Sequence, residues 1–361
     1  MNCRKYFIVM IIGLLPGILS GQSFSEKRTF RKSVKVNKEM TLEVRNKYGT
    51  IHIIPSGNDS LKISAEMQAT AANSDKADKM LEGITINMTE SSYNVVARTE
   101  FTQSLNEFLE DFKGLTNKLI NYDSRIRINY NITAPEYLNL KLENKYGDIY
   151  LENSSGTVSV TLSNGSFKAG SLSRLHDLDL NFCDANISKA EDAVIDASFS
   201  ELTIGESSNL RINSISSRYE LPRAERINAD SKRDKFFIGS MSSFRGEAYF
   251  SDFRVEKLNG DIDLTTKYGS LTAEKIEKGF KSASINSGFS DITLTFDPAI
   301  SYNLEVRHTN STVYLPETNA KLEKRPVSEE NKEFMTYGTV GKNPGNTSVN
   351  IDANRGKIYI K

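Results

Sequence analysis

The feature that most constrains this chain is that it repeats itself. The segments Asn46-Lys47-Tyr48-Gly49-Thr50-Ile51, Asn144-Lys145-Tyr146-Gly147-Asp148-Ile149 and Thr266-Lys267-Tyr268-Gly269-Ser270-Leu271 nearly coincide. Degenerate copies keep the order aromatic, small, polar, apolar, variable, apolar over 182–187, 199–204, 250–255 and 289–294, and weaker ones begin at Asn164, Ser216, Arg233 and Asn310. The first positions are Tyr146, Asn164, Phe182, Phe199, Ser216, Arg233, Phe250, Tyr268, Phe289 and Asn310, separated by 17 or 18 residues and by 21 near the end. A short unit recurring at fixed spacing cannot bury its own apolar face, so its copies must stack and share one interior.

A second alternating segment precedes each corner: Leu140 and Leu142, Val158 and Val160, Leu178 and Leu180, Ile262 and Leu264, Leu304 and Val306. Period-two alternation over so few residues marks a strand with one buried face. Each unit thus holds two short strands around a small-residue corner, followed by a polar return. The expected fold class is all-β: a parallel β-solenoid with coils of about 17–21 residues, right-handed by the chirality rule for crossover connections. At ~4.8 Å per layer, ten coils give a rod roughly 45 Å long. Residues 28–361 are expected to form this single domain.

The second corner position reads Gly147, Gly165, Cys183, Ser200, Ser217, Asp234, Ser251, Gly269, Ser290 and Ser311. All but Asp234 are small, as a tight bend demands. Cys183 therefore reads as an inert packing thiol, because a reactive one needs an electropositive, accessible setting. The third position should face solvent. Down the stack it reads Asp184, Glu201, Arg218, Lys235 and Asp252, a ladder that would pair Glu201 with Arg218 and Lys235 with Asp252. Exposed pairs are worth only ~0–1 kcal/mol each, so a solvated charge ladder is preferred over a binding site.

Outside the regular units, 28–70 reads as strands that start the stack. A short polar helix follows around 75–81, then strands near 84–88 and 93–97. An amphipathic helical insertion spans 104–120: Ser104 and Glu107 form a capping-box pattern, and Leu105, Phe108, Leu109, Phe112, Leu115 and Leu119 fall on one face. It could be a lid over the stack, a docking helix for a partner or a membrane-surface helix. The lid is favoured because exposed sheet ends need covering, and the membrane reading is disfavoured because Glu107, Glu110 and Asp111 outnumber Lys113 and Lys118. The charged, proline-containing segment 317–345 is expected to be a loop-rich excursion, before a closing pair of strands at 347–351 and 356–360.

Residues 1–21 have the charged start, apolar middle and small-residue exit of a secretory signal peptide, with Arg4 and Lys5 before an apolar run to Leu19 broken by Pro16. The expectation is an exported protein, in the periplasm or at the cell surface, with no transmembrane segment after cleavage. The chain has 46 basic and 46 acidic residues, and losing Arg4 and Lys5 leaves 44 − 46 = −2. That balance gives nucleic acid nothing to bind. With Cys3 in the leader, Cys183 stands alone and no intramolecular disulfide can form.

No reaction centre can be read. His52, His176 and His308 do not stand at metal-ligand spacing with another His or Cys, and there is no phosphate loop, nucleophile elbow or calcium-binding nonapeptide. No cofactor is expected. A carbohydrate-active enzyme on a β-helix scaffold would need clustered carboxylates; Asp184 and Glu201 are the closest pair, diluted by Arg218 and Lys235.

The Asn-Lys-Tyr-Gly-Asp-Ile-Tyr-Leu run at 144–151, its echoes down the chain, and Ile126-Arg127-Ile128-Asn129-Tyr130 leading to Ala134-Pro135 resemble the putative adhesin family of bacterial envelope proteins. That group is common in Bacteroidetes and related to the auto-transporter adhesin head domain. The resemblance covers roughly 35–361. It implies binding at the cell surface and brings no catalytic residues. The functional expectation is a non-catalytic envelope binding or scaffold protein whose partner is a glycan or another envelope protein. The alternatives are a carbohydrate-active enzyme and an accessory protein of an envelope sensing system.

Overall fold

A computed structural model describes residues 23–106 and 125–361. The leader expected at 1–21 lies outside these residues. So do Phe108, Leu109, Phe112, Leu115 and Leu119 of the amphipathic insertion. Its first turn, 103–106, is helical, and Leu105 is buried against Gly83.

Among the described residues, 21 strands hydrogen-bond into one predominantly parallel sheet that wraps around a shared apolar interior. The N-terminal third holds β1 (Phe24–Lys35), β2 (Thr41–Lys47), β3 (Ile51–Ser56), β4 (Ser60–Ala71), helix α1 (Ser74–Glu82), β5 (Ile84–Glu90), β6 (Asn94–Phe101), β7 (Ile126–Pro135), β8 (Asn139–Lys145) and β9 (Ile149–Leu151). The repeat dictates the pairing here across a long sequence gap. β2 lies parallel to β8 with Leu42 opposite Leu140, and β3 lies parallel to β9 with Ile51 opposite Ile149, so the copy at 46–51 stacks directly on that at 144–149. α1 is capped by the Asn73 side chain, which accepts from Lys76 N, and buries Ala77 and Leu81.

The middle is the regular part: β10 (Ser154–Ser198), β11 (Glu201–Ile215), β12 (Arg218–Lys232), β13 (Lys235–Tyr249) and β14 (Asp252–Lys267). Each runs parallel to the next at an offset of one repeat, Leu202 opposite Tyr219, Tyr219 opposite Phe236, and Phe236 opposite Phe253, with a one-residue register shift between Met241 and Ser243 where β13 meets β14. Identical register stacks like on like inside. The Tyr219 and Phe236 rings lie 4.6 Å apart at 5°, and Phe236 and Phe253 4.8 Å apart at 14°. Ile187, Ile204, Leu221, Ile238 and Val255 form the next buried column.

The C-terminal third departs from simple succession. It contains β15 (Ser270–Ile276), β16 (Ser282–Gly288), β17 (Asp291–Phe296), β18 (Tyr302–Tyr314), β19 (Ala320–Ser328), β20 (Glu333–Val340) and β21 (Ser348–Ile360). Sequence spacing makes Asn310 the corner that follows Phe289, but the layer between them is β21. It pairs in parallel with β16 and β17 on one side and β18 on the other, and Phe289 N donates to Asn354 O at 2.9 Å. The tail buries Val349, Ile351, Ala353, Ile358 and Ile360. Insertion gives both of its edges a hydrogen-bonding neighbour, which a place at the end of the stack would not. The segment 317–345 is not the loop-rich excursion expected from its prolines and charges. Over 320–340 it forms the antiparallel pair β19 and β20, and β20 is also antiparallel to β18.

Both ends of the parallel stack therefore finish in antiparallel strands. At the other end β4 is antiparallel to β7, β1 to β4, and β5 to β6. Two of the outermost strands are cationic: Lys27, Arg28, Arg31, Lys32 and Lys35 lie on β1, and Lys321, Lys324 and Arg325 beside Pro326 on β19. Like charge and proline oppose the edge-to-edge pairing that a free strand invites.

The stacked interior sets the stability. Replacing Phe236, which is ring-packed on both faces, by Ala is expected to cost ~3–5 kcal/mol, measured as a lower urea midpoint at unchanged slope.

Candidate binding surface

The corner of each repeat has one conformation. Tyr48, Tyr146, Asn164, Phe182, Phe199, Ser216, Arg233, Phe250, Tyr268, Phe289, Asn310 and Arg355 all have φ between +51° and +65°. For residues other than Gly, Asn or Asp, the left-handed region costs roughly 1–2 kcal/mol. Turning the chain this way leaves the next residue's N–H without a backbone acceptor in the following layer, and a side chain there takes it. Cys183 N donates to Ser200 Oγ at 3.0 Å, Ser200 N to Ser217 Oγ at 3.2 Å, Asp234 N to Ser251 Oγ at 3.1 Å and Gly269 N to Ser290 Oγ at 3.2 Å. Each of these hydroxyls also donates to the carbonyl two residues earlier, as Ser200 Oγ does to Ser198 O at 2.8 Å. Cys183 is buried in this serine role, its thiol donating to Asn181 O and Leu162 O at 3.2 Å, and burial raises its pKa.

Asp234 occupies the same slot with a carboxylate, accepting from Ser217 N, Ser231 Oγ and Lys232 N. Burial outweighs these donors and raises its pKa above the ordinary 3.8. A raised native pKa contributes stability in full below the unfolded value and loses it as pH rises through the native value. Asp234→Ser, which copies Ser217 and Ser251, is therefore expected to gain stability over the wild type progressively as pH rises from about 4, read as the difference in Tm between the two proteins across a pH series.

From Phe182 onward the aromatic corner residues point outward, whereas Tyr48 at the N-terminal end is buried. Phe182, Phe199, Phe250, Tyr268 and Phe289 are all exposed. Phe182 and Phe199 stack at 5.0 Å and 7°, Phe250 and Tyr268 at 4.9 Å and 11°, and Tyr268 and Phe289 at 5.0 Å and 22°. Arg355, the corner of the inserted tail, caps this run with its guanidinium 4.8 Å from the Phe289 ring centre. At the N-terminal end Tyr48 and Tyr146 stack at 5.6 Å. The repeat made these positions visible, and Asn164 and Asn310 in the same column are the sequence signal for a left-handed corner. Neither the outward direction of the rings nor the place of Arg355 was legible.

Beside the corner runs the charge column. Asp184, Glu201, Arg218, Lys235 and Asp252 occupy successive layers in register. The pairing within it is not the one the alternation suggests. Arg218 bridges to Glu220 of its own strand at 3.1 Å and lies 4.1 Å from the Phe237 ring centre, while Asp252 accepts from Ser270 Oγ at 2.6 Å. Far from the regular layers, Arg31, Lys32, His52 and Lys62 rim a shallow depression of ≈ 470 Å³ across β1, β4, β7 and β3. His176 is exposed, and His308 is buried against Phe334, its pKa lowered by burial and by Lys324. Among the described residues, no group of three His, Cys, Asp or Glu side chains could hold a metal ion, and no helix is long and apolar enough to cross a membrane.

No family model and no curated protein matches the chain. Among solved structures, a putative cell adhesion protein from Clostridium sporogenes aligns over 93% of this chain and 99% of its own at 13% identity, with a TM-score of 0.24. A putative adhesin from Bacteroides fragilis aligns over 74% of this chain and 97% of its own at 13% identity and a TM-score of 0.31. Another from Parabacteroides distasonis aligns over 92% and 97% at 11% identity and a TM-score of 0.20. Likeness at these TM-scores carries no weight for function.

The outward rings contribute little to the fold. Phe199→Asn loses a stacking contact worth ~0.5–1.5 kcal/mol and relieves a left-handed strain of similar size. Its unfolding free energy is expected to stay within about 1 kcal/mol of the wild type, in contrast to Phe236→Ala under the same denaturation assay.

Proposed function

We propose that this protein is an exported, non-catalytic binding or scaffold protein of the bacterial envelope, adhesin-like in kind. Its repeats form a right-handed parallel β-solenoid that presents the aromatic corner column and the adjoining charge column to an extended ligand, a glycan or another envelope protein. The 104–120 insertion acts as a lid, consistent with Leu105 being buried over Gly83.

The observation that carries this reading is the exposed aromatic column. Glycine or asparagine would turn each corner at lower strain, yet the chain repeatedly places Phe or Tyr there and leaves the rings in solvent. Their stacking offsets the strain without net gain, so the rings are explained by what they contact outside the molecule. Aligned aromatic and charged groups on a rigid surface suit a long ligand that touches several layers at once.

The test is retention of envelope polysaccharides and proteins by the immobilised protein, against a variant carrying Phe182→Asn, Phe199→Asn and Phe250→Asn. The wild type is expected to retain at least one component, and the folded variant to bind it about a hundredfold more weakly, since each of the three lost rings removes on the order of 1 kcal/mol. No retention by the wild type, or equal retention by the variant, overturns the proposal.

A further inference from the structure

The corner column ends at a cavity. After Phe289 the next two corner residues are Arg355 and Asn310, left-handed like the rest. Beyond Asn310 the neighbouring strand is β20, which runs antiparallel to β18 and connects to β19 through a turn at 329–332. Gly288, Asn354, Thr309 and Glu333 stand side by side across the ladder, three steps of ~4.8 Å. The turn and the last corners of the column together line a cavity of ≈ 640 Å³. That volume falls within the ~300–1,000 Å³ usual for small-ligand sites.

Its lining is polar, and much of that lining has no partner inside the protein. Asn310 and Asn354 come from the corners and Asn331 from the turn; all three are exposed, and their side chains make no hydrogen bond among the described residues. Each amide offers two N–H donors and an acceptor oxygen. The charges balance. Glu330 and Glu333 face Lys332 and Arg355 across the same cavity. Glu333 is held by Arg307, and Arg355 lies over the Phe289 ring. Because Tyr268 stacks on Phe289 as well, this ring offers the cavity its edge as an apolar contact.

A ligand that suits this lining must both accept from amide N–H groups and donate to amide oxygens, at several points, and carry no net charge. An anion would meet Glu330 and Glu333, and a cation Lys332 and Arg355. Hydroxyl groups fit, since each is one donor and two acceptors. A sugar ring holds several of them at fixed spacing on a rigid frame. The position of the cavity adds a second requirement. The turn at 329–332 stands at the end of the column, so a chain lying along Phe250, Tyr268 and Phe289 reaches it with its terminus and not with its interior. We infer that this cavity binds the uncharged terminal sugar residue of a glycan whose chain lies along the corner column.

This assignment rests on the surface-binding reading above and narrows it to glycans, and the experiment separates the two. An array of oligosaccharides ending in neutral hexoses or N-acetylhexosamines, with uronate- and sialate-ended counterparts, is probed with three proteins. These are the wild type, a variant with Asn331→Ala and Asn354→Ala, and a variant with Glu330→Gln and Lys332→Gln. The four side chains are exposed and bond to nothing among the described residues, so both variants keep the fold, which an unchanged Tm verifies. Neutral-ended glycans are expected to be bound in preference to acidic ones. Their binding is expected to weaken about thirtyfold in the amide variant, the loss of two neutral hydrogen bonds, and about fivefold with Asn331→Ala alone, which serves should the pair unfold. It is expected to persist in the charge variant and at raised salt, because no net charge is recognised. Absence of any bound neutral-ended glycan, a preference for acidic ends, or binding untouched by loss of the amides overturns the assignment. If the wild type and the amide variant retain envelope material equally in the pull-down, the cavity assignment falls while the surface reading stands. If the wild type retains nothing, both fall.

Discussion

The left-handed corner is the constraint on which the rest of this structure depends. It lets two strands of a 17-residue unit meet at a sharp angle, and it repeats with nearly one φ value from Tyr48 to Arg355. Layers pass so close there that an ideal Cβ on Gly147 would lie 1.9 Å from Gly49 O, and one on Gly269 2.0 Å from Ser251 O. The second position is therefore Gly, or a residue whose short polar side chain takes up the N–H that the turn leaves over. Serine does this by accepting from the previous layer while donating to its own strand. Register follows directly, because a slip by one residue would place this hydroxyl on the wrong face and turn every apolar column outward.

That constraint explains what the sequence could and could not disclose. Spacing, alternation and the small second position are local, repeated signals, so the parallel stacking of 182, 199 and 250 and the interior role of Cys183 were legible. Long-range topology was not. Arg355-Gly356 sits in the column between Phe289 and Asn310, but its repeat pattern is too short to distinguish a closing pair of strands from an inserted layer. The strands β19 and β20 were hidden by Pro326 and by many charges, which are the properties of an edge hairpin as much as of a loop. Direction was hidden too. An aromatic residue beside a bend reads as core until the sign of φ is known, and only the asparagines in the same column hint at it.

The ends of the stack obey different physics from its middle. In the middle, each layer pairs in parallel with a like layer on both sides, and the column of Tyr219, Phe236 and Phe253 packs by simple repetition. At an end there is no next copy, and an open parallel edge would accept another chain. The protein reverses strand direction there, places lysine and arginine along β1 and β19, and lodges its own tail between existing layers. Each device removes an exposed edge or charges it.

The same contrast between repetition and interruption bears on recognition. A perfect aromatic column uses its ring faces on itself and offers solvent only ring edges, which are poor at discriminating ligands. Other groups reach the surface where the column breaks. The sites of substitution, Asn164, the pair Ser216 and Arg233, and the pair Arg355 and Asn310 that follows Phe289, are therefore where a repetitive surface acquires a position and a polarity. Of these, the last pair lines the cavity that the turn between β19 and β20 helps to form. Under the proposed binding role, selectivity belongs to the defects of the repeat, and the regular layers on either side hold those defects at fixed spacing.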